Sequence, residues 1–160
     1  MKKAIYGIFC IIVVMLSITA VSSAALETHD FGKFSMNVPA GADFTQNNAT
    51  NGDLTITKDT DFSDPSISHP VWSGADLTIE YYDCGEDGFS GYKEVMSEYE
   101  NDTAVEQSNG MYVYNSKVPE SKYVVFKVKE GGILGSDVVV SISGDDLNQL
   151  KEMANTVEFK

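Results

Sequence analysis

Three aspartates, a histidine and the chain's one tryptophan fall within DTDFSDPSISHPVWSGA, residues 59–75. Asp59, Asp61 and Asp64 stand in D-x-D-x-x-D spacing. Such a run offers carboxylate oxygens to Ca2+, a hard cation that takes about six to eight oxygen ligands. The glycine and closing glutamate of an EF-hand loop are missing. Two readings therefore stand: a calcium site, or a solvated acidic loop. His69 precedes Pro70, which places it in extended backbone. Trp72 either presents its ring to a sugar or a protein partner or folds back onto the edge of the core.

Other constellations carry less. No G-x-S-x-G elbow is present, so a triad of His69 with an aspartate and a serine would have to be assembled in space. His29, beside Asp30, is far from His69, and the two make no metal-ligand spacing. GGILGS (131–136) has no following Lys-Ser/Thr and reads as a hairpin turn rather than a phosphate cradle. DCGEDG (83–88) ends a strand and opens a helix, with acids where the helix dipole favours them. Asn48 and Asn101 stand in NAT and NDT, acceptor sequons for N-glycosylation.

The charge balance narrows the function classes. The 160 residues include 11 lysines, no arginine and 24 acids, for a net charge of −13. Such a surface repels nucleic-acid phosphates and lacks the bidentate guanidinium fork for anionic ligands. The first stretch reads as an export signal: Lys2 and Lys3, an apolar run from Ala4 to Leu16, then Ser22, Ser23, Ala24 and Ala25. Cleavage is expected after Ala24. The alternative is a retained anchor, since no charge falls between Lys3 and Glu27. Cleavage would leave nine lysines against 24 acids, a charge of −15. It would also leave Cys84 alone, with no internal disulfide. Cys84 is then read as a small buried hydrophobe, the alternative being a bridge between chains.

The elements that must position these residues follow from periodicity. Apolar residues alternate in Phe34, Met36, Val38; in Leu54, Ile56; and in Leu77, Ile79, Tyr81. MYVYN (111–115), YVVFKVK (123–129) and VVVSIS (138–143) repeat the pattern, which predicts half-buried strands. NGD (51–53), VPES (118–121) and GGILGS supply turns. The period becomes helical in Phe89, Tyr92, Val95, Met96 and Tyr99. It does so again in Leu147, Leu150, Ala154 and Val157, with Met153 beside them. Asp146 is placed as an N-cap with Gln149 at N3. The predicted order is β-β-β-α-β-β-β-α with a short end strand at Val157–Phe159. One α+β domain is expected over 27–160.

F-x-M-x-V-P-x-G (Phe34 to Gly41), a central antiparallel hairpin and D-x-x-x-L-x-x-M-x-x-T-V-x-F (Asp146 to Phe159) together resemble small exported archaeal proteins of uncharacterised function. More distantly, the pattern is similar to the PsbP-like α-β-α sandwich. That resemblance implies a mainly antiparallel sheet of about six strands with two helices packed on it. It also implies an extrinsic assembly or interaction role. Some PsbP relatives bind metal ions, but no ligand residue of that family matches a position here. The reading is an exported, non-catalytic interaction domain of the envelope or extracellular side, acting by protein or surface contact through the 59–75 loop. The alternative is a divalent-ion or small-ligand module using Asp59, Asp61, Asp64, His69 and Trp72. A small secreted hydrolase comes third.

Overall fold

The computed structural model describes residues 25–47, 70–84, 88–91, 93, 104–114, 122–132 and 135–160. Of these, 50% are in strands and 17% are helical. Among the described residues, ten strands follow in chain order: β1 (Leu26–Asp30), β2 (Phe34–Pro39), β3 (Thr45–Asn47), β4 (Val71–Gly74), β5 (Leu77–Asp83), β6 (Val105–Glu106), β7 (Met111–Val113), β8 (Tyr123–Lys129), β9 (Val138–Gly144) and β10 (Glu158–Phe159). They form two sheets. The smaller has the order β1-β2-β10 and the larger β3-β4-β5-β9-β8-β7-β6. Every pairing is antiparallel.

The period of two decides which face each strand buries. In β2, Phe34, Met36 and Val38 are buried, while Ser35 and Asn37 point the other way. The buried row meets Leu77, Ile79 and Tyr81 of β5, Val140 and Ile142 of β9, and Trp72 of β4 in the main core. The closing helix, Leu147–Asn155, lies on the same side against β8, β9 and β2. Asp146 caps it by accepting from the N–H groups of Asn148 and Gln149 at 2.9 and 3.2 Å. Its stripe buries Leu150, Met153 and Ala154. Gly144, at the end of β9, makes room for it: a Cβ there would come within 2.9 Å of Leu77 Cδ2 and 3.2 Å of Leu150 Cδ2.

The second face of the larger sheet carries its own cluster: Tyr82, Val124, Phe126, Val128 and Val139, with Cys84, Ala104, Tyr114 and Phe89. Phe89 belongs to a helix that runs through residues 88–91 and 93. Tyr92, Val95, Met96 and Tyr99 of its predicted stripe lie outside the described residues. So do Leu54 and Ile56 of a predicted strand, and the export segment 1–24.

Two tight turns put two consecutive residues in left-handed backbone. Asn109 (φ 51) and Gly110 (φ 68) join β6 to β7, the dipeptide that a right-twisted hairpin prefers. Ala75 (φ 51) and Asp76 (φ 61) join β4 to β5. An alanine in that region is strained by about 1–2 kcal/mol. Ala75→Gly is therefore expected to stabilise the fold by about 1 kcal/mol, read as a higher urea midpoint at unchanged slope. A lower midpoint would contradict the turn geometry.

The expected α-β-α sandwich, a sheet of about six strands with two helices packed on it, is not what forms. The structure is mostly antiparallel β, with sheets of three and seven strands. Size explains the difference. Seven strands at the usual spacing make a sheet about 29 Å wide, whereas a nine-residue helix is only about 13 Å long. The remaining apolar surface on that face is covered by the inner row of β2, so a sheet takes up much of the layer assigned to helix.

Candidate functional site

The outer face of the smaller sheet is built from what the core leaves over. Strand register places Thr28 opposite Asn37 and Glu158 opposite Ser35. Thr156, the C-cap of the closing helix, completes the row. These five residues line an open concavity of about 360 Å3. Two kinds of side chain meet there. Some are fixed: Thr28 Oγ1 donates to Asn37 Oδ1 at 2.8 Å. The Thr156 hydroxyl accepts from the Asn37 N–H at 2.8 Å and donates to the Met153 carbonyl at 2.7 Å. Others are left open. Among the described residues, the Ser35 hydroxyl, the Glu158 carboxylate and the Asn37 amide nitrogen have no hydrogen-bond partner. At one end of this face Lys160 donates to Asp30 and forms an ion pair with it. That hydrogen bond, with a second from the Gly32 N–H, holds the Asp30 carboxyl below its usual range.

A smaller concavity of about 210 Å3 lies on the second face, lined by Phe89, Ser90, Lys93, Tyr112, Val128, Glu130 and Asp137. Asp137 and Lys93 are engaged within it, while the Ser90 hydroxyl and the Glu130 carboxylate have no hydrogen-bond partner among the described residues. Asp137 accepts from the N–H of Phe89 and of Gly131, each at 2.9 Å, tying the helix start to the β8–β9 turn. The Lys93 ammonium sits over the rings of Tyr112 and Phe89, at 4.9 and 5.5 Å. Burial, then Glu106, Glu130 and Asp137, pushes the Tyr112 hydroxyl up. This is a clamp that holds the helix to the sheet.

Of the residues singled out from sequence, Asp59, Asp61, Asp64, His69, Asn48 and Asn101 lie outside the described residues. Trp72 belongs to a strand rather than a loop. It is only 6% exposed and meets Phe31 and Phe34 edge-on, at 5.3 and 5.7 Å. Of the two readings of that ring, the core position is the one observed. His29 sits in β1 against Phe31 and Phe44, at 4.6 and 5.5 Å. Thr28, Ser35, Asn37 and Glu158 occupy no fixed position of any motif, and Thr156 stands in the closing motif only as part of a fold pattern. The one available signal was the polar half of the alternation in FSMNVP.

Cys84 is fully buried. Burial, then Asp137 and Asp83, pushes its thiol up to about 12. The neutral thiol is the folded form, so its stabilisation is complete below the free-thiol value of 9.0 and fades as pH rises towards 12. Two results are expected. The thiol should resist alkylation until the chain unfolds, and the stability advantage of the native chain over Cys84→Ala should shrink above about pH 9. Ready alkylation of the folded protein at neutral pH would contradict the burial.

Among the described residues, no helix is long and apolar enough to cross a membrane, and no group of three or more His, Cys, Asp or Glu side chains could hold a metal ion. Comparison with protein-family models, with curated proteins and with solved structures finds no match to this chain.

Proposed function

We propose that the chain is an exported, non-catalytic binding domain that works by contact with the cell envelope or its outer surface, and that the outer face of the smaller sheet makes that contact. The observation that carries this reading is the groove of Thr28, Ser35, Asn37, Thr156 and Glu158, in which hydrogen bonds fix part of the polar set and leave the rest open. Asn37, held by Thr28 before binding, loses little freedom on binding. The surface sits on strands and a helix cap anchored in the main core, a rigid base of the kind that binding sites need. The signal-like start of the sequence supports export. With Trp72 in the core, the 59–75 stretch no longer offers that ring as the point of contact.

Ser35→Ala combined with Glu158→Gln tests the assignment. Neither side chain has a hydrogen-bond partner among the described residues, so melting should be unchanged. Sedimentation with envelope fragments of the producing cells should fall about ten-fold, the effect of losing the Ser35 hydroxyl and the charge on the Glu158 acceptor. Unchanged sedimentation would remove this face as the working surface.

A further inference from the structure

We infer that the groove takes a neutral polyhydroxylated ligand, a saccharide unit of an envelope polymer. This inference rests on the surface assignment just made. The open groups are of three kinds: an amide nitrogen with two donors (Asn37), a carboxylate that only accepts (Glu158) and a hydroxyl that does both (Ser35). A vicinal diol answers all three. One hydroxyl donates to Glu158 while its oxygen accepts from Asn37, and the neighbouring hydroxyl exchanges with Ser35. Glu158 and a net charge of −13 repel a phosphate or carboxylate ligand. An ammonium ligand has no acceptor for the Asn37 donors. The volume, about 360 Å3, lies at the low end of the range for small-molecule sites, and its openness suits a unit presented on a longer chain.

Thr156 gives the site a fixed wall. Its hydroxyl is held between the Asn37 N–H and the Met153 carbonyl, so the side chain that ends the closing helix also lines the groove beside β2.

The test uses the mature chain and envelope fragments in three parallel arms: untreated, oxidised with sodium periodate, and digested with protease. Periodate cleaves vicinal diols and leaves peptide bonds intact. The expected result is loss of sedimentation after periodate and retention after proteolysis. At least one of maltotriose, cellotriose and mannotriose should compete in the untreated arm. The Ser35→Ala, Glu158→Gln double variant should need about ten-fold more of that oligosaccharide for half-occupancy. Binding that survives periodate but is lost on proteolysis would overturn the saccharide inference and leave the surface-contact reading standing. Binding that the double variant keeps in full would overturn both. Absence of competition by all three oligosaccharides, with periodate without effect, would also overturn the saccharide inference.

Discussion

Leu150→Ala is expected to lower the stability of the fold by about 2–5 kcal/mol. Leu150 has no exposed surface and packs against Gly144 of β9, where a Cβ would come within 3.2 Å of its Cδ2. Truncation leaves a cavity between two elements that cannot collapse onto each other. β9 is held by its pairing with β5 and β8, and the helix by its packing on β8, β9 and β2. Domains of this size are stable by only about 5–15 kcal/mol, so the urea midpoint should fall markedly while the slope stays fixed. Glu152→Ala, on the exposed side of the same helix, should stay within about 0.5 kcal/mol of the native chain. Equal melts for Leu150→Ala and Glu152→Ala would mean that the helix does not seal the core.

Phe34→Ala is expected to cost about 3–5 kcal/mol. Its ring has no exposed surface. It stacks on Phe31 at 5.0 Å and on Tyr81 at 6.2 Å, and meets Trp72 edge-on at 5.7 Å. It therefore joins the smaller sheet to the larger one, beside Met36 and Val38. Each aromatic pair contributes about 0.5–1.5 kcal/mol beyond its buried area. Because Trp72 is the only tryptophan, its emission reports the same event. The variant should show a red-shifted native spectrum along with the lower urea midpoint. A native-like spectrum and midpoint would contradict the placement of β2 over β4 and β5.

The sequence announced the parts whose pattern is local. The alternation in Phe34, Met36 and Val38, and that in VVVSIS, marks strands that do form, and the Asp146 cap with its apolar stripe marks the closing helix. Shorter and more polar strands were missed. LETHD shows no apolar alternation, TQN is wholly polar and VE is too short to have a period. Asn109-Gly110 was a usable hairpin signal for β6 and β7. Long-range pairing was not readable at all: β10 completes the smaller sheet by joining β2, and no local pattern records which edge a strand will take. That pairing creates the groove, since it sets Glu158 beside Ser35. A site made of single polar residues from distant segments leaves no spaced motif, whereas the acids of 59–75 form one.

The most direct measurement is an amide 1H–15N map of the chain as solubilised envelope polymer is added. The largest shifts are expected on Thr28, Ser35, Asn37, Thr156 and Glu158, with Asp137 and Tyr112 on the opposite side unmoved. Shifts confined to residues outside this group, or none on saturation with polymer, would contradict the surface assignment.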